Sequence, residues 1–151
     1  MKTGESLGSR LKRGVCCFGL SVVLPCPSVI EMAALAGYDF VRIDWEHALF
    51  GAIELRELLN TARLVGMPCQ VRVPELTMIT PLLGQEPAGI MVPHVESEKE
   101  ARAAVDACRF QPLGRRGMDG NTRRMRCEGM TRRTYMEYQQ ENLDIVVQIE
   151  S

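Results

Sequence analysis

The chain has 151 residues, 46 % hydrophobic and 25 % charged, and a formal net charge of −1, which suits one domain with a buried core. Neither the composition nor the net charge indicates that the chain binds nucleic acid. The longest apolar stretch, residues 15–30, is interrupted by serines and prolines and is too broken to span a membrane. The amino terminus is polar and lacks an apolar signal core, so the expected location is the cytoplasm.

The amino-terminal part of the chain alternates apolar runs with helical patterns. The first predicted strand covers residues 15–23. Ser28-Val-Ile-Glu31 then has the spacing of a capping box, which predicts a helix that Gly37 can end. A short buried strand at 40–43 follows, and apolar residues recur at helical spacing over residues 52–65.

The rest of the chain continues this alternation. A second capping box, Ser97-Glu-Lys-Glu100, predicts the start of another helix. The remaining predicted elements are strands at 69–73, 89–95 and 145–149, helices at 78–83, 97–110 and 131–142, and a long Gly- and Arg-rich loop at 111–130. The six cysteines form no C-x-x-C pair, and we expect reduced, structural thiols.

Repeated strand–helix units predict a mostly parallel α/β sheet covered by helices. The strands are near-continuous apolar runs, as expected when both faces are buried. Five strands fit either a small doubly wound sheet or five units of an eight-unit barrel, and the periodicity alone does not choose between them. No glycine-rich phosphate loop follows the first strand, which argues against a nucleotide-binding doubly wound sheet.

In both architectures the functional site lies beyond the carboxyl ends of the strands. Asp44, Glu46 and His47 follow the second predicted strand, Arg72 ends the third, and Glu150 follows the fifth. These residues are therefore predicted to converge on one rim of the sheet. Asp44 and Glu46 also have a structural interpretation, since an acidic residue after a strand often caps the next helix.

The residue types indicate acid–base and charge-stabilising chemistry. Two carboxylates beside the His47 imidazole are typical of a base that is oriented by its neighbours. Arg72 lies in an apolar strand and must meet a carboxylate of the protein or of a ligand. Glu150 suits a hard cation such as Mg²⁺ or Mn²⁺. His94 is predicted to be structural because nothing beside it supplies a partner.

Seven arginines lie between residues 115 and 133. This stretch has no interleaved aromatic residue before Tyr135, and the chain as a whole is not basic, so nucleic-acid binding is not expected. We interpret the stretch as a solvated loop, or as a loop that pairs with acidic groups of another subunit.

Six segments, in this order and spacing, resemble the HpcH/HpaI aldolase/citrate lyase family, and especially its class II pyruvate aldolases that act on 4-hydroxy-2-oxo acids. They are residues 37–47, 70–74, 89–95, 100–105, 112–117 and 148–150. The resemblance implies a (β/α)8 TIM barrel of the phosphoenolpyruvate/pyruvate type. Residues 1–151 would then form a single partial domain with strands one to five, truncated after strand five.

The resemblance also implies a carbon–carbon lyase that uses Mg²⁺ or Mn²⁺, with pyruvate and an aldehyde as small-molecule partners, in a homo-oligomer. His47 would be the base, acting through a water, and Arg72 would hold the pyruvate oxygens and stabilise the enolate. Glu150 would be a metal ligand. Asp44 would support the site, often across a subunit contact.

Two features depart from the family pattern. Gly84 occupies the position of an aspartate that the family pairs with the catalytic histidine, and Glu86 is offset from it by two residues. A second metal ligand is expected after strand six, beyond Ser151. The isolated chain is therefore expected to be incomplete as an enzyme. The alternatives are a non-catalytic remnant or interaction subunit, and a small doubly wound ligand-binding domain.

Overall fold

A computed structural model describes residues 6–120 and 122–150. The ends of the predicted domain, residues 1–5 and 151, lie outside the described residues, as does residue 121. The five strands, in chain order, are β1 (Gly19–Val22), β2 (Phe40–Asp44), β3 (Cys69–Arg72), β4 (Gly89–Val92) and β5 (Asp144–Val147).

The strands form one parallel sheet in which each strand lies beside the preceding one, in the order β1-β2-β3-β4-β5. This is the order predicted for a barrel. A doubly wound sheet reverses direction once, so that alternative is wrong. The five described strands therefore correspond to consecutive units of the (β/α) barrel type.

Helices connect the strands. In chain order they are α1 (Leu7–Lys12), α2 (Pro27–Leu35), α3 (Ala52–Leu64), α4 (Ile79–Leu83), α5 (Glu98–Cys108), α6 (Arg123–Cys127) and α7 (Arg132–Asn142), with a 3₁₀ turn (Leu76–Met78) before α4. The sequence did not predict α1 or α6, and α6 makes the prediction of a continuous loop at 111–130 wrong in part. The first has one buried residue, Leu7, and the second has none, so neither shows an apolar stripe. No helix of the described residues is both long and apolar enough to cross a membrane.

The first predicted capping box is wrong, whereas the second is confirmed. Helix α2 starts at Pro27, one residue before Ser28, and its N-cap residue makes no side-chain hydrogen bond. Proline suits a first helical position because it has no N–H to satisfy. At α5, the Ser97 hydroxyl accepts a hydrogen bond from Glu100 N, and the Glu100 carboxylate accepts one from Ser97 N. Gly37 follows α2 with a φ of +85°, as the predicted helix end requires.

The two faces of the sheet differ in polarity. Alternate strand residues such as Val41, Ile43 and Ile90 are fully buried in the hydrophobic core. Arg42 and Gln70 lie in register on the opposite face. The near-continuous apolar runs predicted strands with both faces buried. On this second face Gln70 is buried, whereas Arg42 is partly exposed.

Candidate functional site

The five predicted site residues lie at the carboxyl ends of the strands. Asp44 is the last residue of β2 and is paired in register with Arg72, the last residue of β3. Glu46 and His47 lie in the turn after β2, and Glu150 follows β5 by three residues. The parallel sheet therefore brings together side chains that are up to 106 residues apart in sequence, from position 44 to position 150.

Asp44 and Arg72 form a bidentate pair. Arg72 Nε donates to Asp44 Oδ1 at 3.0 Å, and Arg72 Nη2 donates to Asp44 Oδ2 at 2.5 Å. Asp44 is only 5 % exposed. Burial raises the pKa of its carboxyl group, but the hydrogen bonds and charge of Arg72 and the backbone amides of His47 and Glu46 outweigh burial and lower the pKa below its ordinary value. This pair fixes the plane of the guanidinium.

Glu46 lies at the centre of the cluster, with a side chain 9 % exposed. Its Oε2 atom lies 3.1 Å from Arg72 Nη1 and 3.5 Å from His47 Nε2. Its Oε1 atom lies 2.9 Å from His94 Nε2. Oε2 is buried and has ion-pair contacts but no hydrogen bond of good geometry among the described residues. Glu46 therefore connects Arg72 to both histidines.

His94 is one of two residues of the cluster that the sequence prediction missed. It joins Glu46 to Glu150: its backbone N–H donates to Glu150 Oε1 at 3.2 Å, and its Nδ1 lies 3.3 Å from the same oxygen. Its φ of +53° is uncommon for a residue with a side chain. The premise that His94 has no partner is wrong, because its partners lie 48 and 56 residues away in sequence.

Gln148 completes the contacts on the β5 side and was also not predicted. Its Oε1 accepts a hydrogen bond from Arg72 Nη1 at 3.4 Å, and its Nε2 donates to Glu150 Oε2. Burial raises the pKa of Glu150, but the hydrogen bonds from Gln148 and from the His94 amide, with the charges of His94 and Arg72, lower it overall. Gln148 lies in the Gln-Ile-Glu segment, so its position two residues before Glu150 was the available signal.

His47 faces solvent while its backbone is fixed. Its side chain is 66 % exposed, and its backbone N–H donates to Asp44 Oδ1 at 3.2 Å. The Glu46 N–H donates to the same oxygen at 3.2 Å. Asp44 thus shapes the turn that presents an accessible imidazole beside the Glu46 carboxylate.

Glu86 does not take the place of an aspartate at Gly84 beside this histidine. The Glu86 side chain is 2 % exposed and lies 3.5 Å from Arg124 Nε of α6. Gly84 follows α4 and precedes β4, at the amino end of the sheet, whereas His47 follows the carboxyl end of β2. Within one chain, the sheet therefore separates position 84 from the cluster.

The rim offers an incomplete set of ligands for a cation. No three His, Cys, Asp or Glu side chains among the described residues are arranged as a metal site. Glu150 supplies one carboxylate, 35 % exposed. Mg²⁺ commonly binds through one or two carboxylates and keeps several waters, so this donor fits a cation that takes its other ligands from water and substrate.

Comparison with known proteins shows which family the sequence matches. The sequence model of the HpcH/HpaI aldolase/citrate lyase family matches residues 18–151. A 4-hydroxy-4-methyl-2-oxoglutarate aldolase from Hapsidospora irregularis is 35 % identical over 118 residues, which cover 76 % of this chain and 44 % of that protein. A 4-hydroxy-2-oxovalerate aldolase from Novosphingobium aromaticivorans is 34 % identical over 122 residues, which cover 77 % and 45 % of the two chains.

A solved structure extends the likeness to the fold. The crystal structure of an HpcH/HpaI aldolase from Desulfitobacterium hafniense DCB-2 superposes with a TM-score of 0.85 at 26 % identity. The match covers 97 % of this chain and 56 % of that one. The chain therefore spans about half the length of the curated relatives and of the solved structure that it matches.

Proposed function

The chain belongs to the HpcH/HpaI aldolase/citrate lyase family, and we propose that its rim cluster serves a divalent-metal-dependent aldolase. The proposed reaction cleaves or forms 4-hydroxy-2-oxo acids through a pyruvate enolate. The names of the relatives support this reaction class, since they are aldolases of hydroxylated 2-oxo acids. The observation that carries the proposal is the guanidinium of Arg72, which is held in a fixed plane at the mouth of the cluster.

Arg72 is the proposed oxyanion partner. Its Nε and Nη2 donors are bound by Asp44, which leaves Nη1 directed toward the side of Glu46 and Gln148. A donor that is fixed before reaction costs no reorganisation when negative charge develops on the substrate oxygen. In this proposal, Arg72 Nη1 holds the carboxylate or the 2-oxo oxygen of pyruvate.

His47 is the proposed base, acting through a water on the substrate's 4-hydroxyl group. As the hydroxyl proton leaves, the O–H electrons form the aldehyde carbonyl and the C3–C4 bond breaks. The C3–C4 electrons become the enolate of pyruvate, whose oxygen charge Arg72 neutralises. Return of the proton to C3 gives pyruvate. Glu46 lies 3.5 Å from His47 Nε2 and stabilises the protonated imidazole between these two transfers.

Glu150 is the proposed protein ligand of Mg²⁺ or Mn²⁺, oriented by the His94 amide and the Gln148 side chain. When bound, such a cation supplies Lewis-acid polarisation of the 2-oxo group. Orientation of a ligating carboxylate by surrounding hydrogen bonds is typical of metal sites. The homo-oligomer, the aldehyde partner and the cytoplasmic location stay predictions.

Oxalate, a planar analogue of the pyruvate enolate, tests the proposal on the chain itself. Trp45 is the single tryptophan and lies between Asp44 and Glu46, so its fluorescence reports on this rim. With Mg²⁺ present, we expect saturable quenching by oxalate, and a roughly tenfold or greater loss of affinity in Arg72→Ala, because a charged donor is removed.

Arg115→Ala is the matched control, since the Arg115 side chain is 88 % exposed. It should leave the oxalate affinity unchanged. Equal affinities in Arg72→Ala and the parent chain would remove Arg72 from ligand binding and favour a non-catalytic role for this rim. Arg72→Lys keeps the charge but not the paired donors to Asp44, and an intermediate affinity would support the role of the fixed plane.

A further inference from the structure

The arginine-rich stretch between residues 115 and 133 contains a partly buried cation, Arg116, that has no adjacent carboxylate among the described residues. Most arginines of this stretch lie near carboxylates: Arg115 lies 3.9 Å from Asp106, and Arg133 lies 3.1 Å from Glu137. Arg123 and Arg124 both contact Glu128, at 2.8 and 2.7 Å. Arg116 is partly buried, yet no carboxylate of the described residues lies within ion-pair distance of its guanidinium.

Neutral groups hold the Arg116 guanidinium in place. Nη1 donates to Gln139 Oε1 at 2.9 Å, and Nη2 donates to the Tyr135 hydroxyl at 3.4 Å. The guanidinium also lies over the Phe110 ring, 4.4 Å from its centroid. Tyr135 and Gln139 are 1 % and 4 % exposed, so the cation is anchored to buried side chains of α7. Its charge is fixed in position but is not neutralised by an adjacent carboxylate.

Arg116 lines a cavity of about 290 Å³ between α4, α7 and residues 110–119 and 122. Thr122 and Tyr135 also line it. The Thr122 hydroxyl, in a residue 6 % exposed, lies beside the Tyr135 hydroxyl but makes no hydrogen bond of good geometry among the described residues. Burying such a group without a partner costs free energy, as does burying an unpaired cation. One wall of the cavity thus offers a guanidinium and two hydroxyl groups.

We propose that this cavity binds a small oxyanion, a carboxylate or a phosphate, with its oxygens on Arg116 and on the hydroxyls of Thr122 and Tyr135. Such a ligand would pair the cation and give the Thr122 hydroxyl an acceptor. Burial lowers the pKa of Arg116, in keeping with a cation that lacks a close counter-ion. The volume is near the lower limit of small-molecule sites, so the ligand is a small anion.

Acidic groups near the cavity restrict the ligand further. Asp119 contributes to the lining, and Glu86 lies close enough to affect the pKa of Arg116 but is itself paired with Arg124. A large polyanion would come closer to these carboxylates than a small anion that stays on Arg116, Thr122 and Tyr135. None of the lining residues belongs to the rim cluster of Asp44 and Arg72. The inference is therefore independent of the proposed function.

Anion binding is testable on the purified chain with inorganic phosphate and with acetate as probes. Calorimetric titration gives the affinity, and protection of Arg116 from phenylglyoxal, mapped by mass spectrometry, gives the location. We expect saturable binding that protects Arg116 but not the exposed Arg115. Arg116→Gln should weaken binding about tenfold or more, and Thr122→Val should weaken it several-fold, since each loses a contact to the anion.

Arg115→Gln is the control for the loss of one positive charge and should keep the parent affinity. Trp45 fluorescence separates this site from the rim, because an anion in the cavity should protect Arg116 without changing the tryptophan signal. Binding by phosphate alone or by acetate alone would support the proposal and identify the class of anion. If Arg116→Gln does not fold, the anion affinity of Thr122→Val still tests the proposal. Unchanged binding in both variants, or no protection of Arg116 in the parent chain, would overturn the proposal.

Discussion

Arg72 is surrounded by more negative than positive charge, and this imbalance decides how the rim responds to substitution. Asp44 and Glu46 lie within 2.5 and 3.1 Å of its guanidinium. Both carboxylates are largely buried, and removing one partner of a buried ion pair leaves a charge that is neither solvated nor neutralised. Arg72 therefore stabilises the rim, in addition to its proposed role as a donor to the ligand.

Arg72→Ala should abolish most turnover once a complete barrel is present. In a chimera that adds the remaining strands of the Desulfitobacterium hafniense aldolase, we expect aldol cleavage to fall by about 10²-fold or more, as is typical on loss of one charge-stabilising donor. Pyruvate release is measured with a coupled dehydrogenase. The exposed Arg115→Ala is the control, and a chimera that keeps full turnover without Arg72 would exclude this residue from the mechanism.

Asp44 makes the folded state sensitive to acid. Its folded-state pKa lies below the ordinary value of about 3.9, because the Arg72 and backbone hydrogen bonds outweigh burial. A depressed carboxyl pKa adds stability that is present above the unfolded-state pKa and lost as the pH falls through the folded-state pKa. Urea unfolding should therefore show a free energy of unfolding that decreases below about pH 4.

The Asp44→Asn variant isolates this contribution. It should show a weaker dependence of unfolding free energy on pH in the acid range, because the titrating group is gone. Other carboxyl groups also contribute to the acid dependence, so Asp44→Asn is compared with the parent protein. The pKa values of Glu100 and Glu150 are lowered as well, whereas the pKa of Asp144 is raised and changes the unfolding free energy in the opposite direction. Identical acid dependence in both proteins would contradict the assigned pKa direction.

The sequence located the polar rim residues that follow strands, but not all of their contacts. Asp44 and Arg72 were found because parallel strands end at the same edge, so residues after apolar runs converge. His94 was judged on its sequence neighbours alone, whereas its partners come from the loops after β2 and β5. Such contacts depend on strand order, which the periodicity left open.

At the scale of elements, strands and amphipathic helices were predictable because burial leaves a repeating apolar pattern. Helix α3 shows this best, with Leu55, Leu58, Leu59 and Ala62 buried along one stripe. The polar helix α6 has no buried residue and left no such pattern. The Ser28 and Ser97 motifs have the same spacing, yet the preceding Pro27 shifts the start of α2 so that Ser28 falls inside the helix.

Substituting the two serines tests this difference directly. Ser97→Ala removes the hydroxyl that accepts from Glu100 N and should lower the free energy of unfolding by about 0.5–2 kcal/mol. Ser28→Ala is the matched control: Ser28 is exposed and inside α2, so the change should stay within about 0.5 kcal/mol. Chemical denaturation measures both values. A larger loss from Ser28→Ala than from Ser97→Ala would mean that the capping assignments are reversed.

At the scale of the whole molecule, the described sheet has two strands that each pair on one side only. They are β1 and β5, at opposite ends of the order β1-β2-β3-β4-β5. An unpaired strand edge is a template for pairing with another chain. Apolar side chains next to β1 are exposed as well: Phe18 is 69 %, Val23 is 53 % and Leu24 is 60 % exposed. The described surface thus has unpaired strand edges at β1 and β5 and exposed apolar side chains next to β1.

A polypeptide of residues 1–151 should therefore self-associate, as measured by light scattering and sedimentation. Replacing Phe18, Val23 and Leu24 with lysine should reduce association, because charge at an edge blocks strand pairing. Leu64→Lys is the control, since Leu64 is 83 % exposed but lies at the end of α3, in a helix and not at a strand edge.

The same polypeptide should show no metal-dependent cleavage of 4-hydroxy-2-oxo acids. Glu150 is one carboxylate, and Mg²⁺ or Mn²⁺ held by one carboxylate and water binds weakly. Pyruvate release is assayed with and without added Mg²⁺ or Mn²⁺, with the chimera as the active reference. A monomer with metal-dependent turnover would contradict both expectations. The buried Glu46, whose Oε2 has no hydrogen-bond partner among the described residues, would then be the residue to test as a second metal ligand.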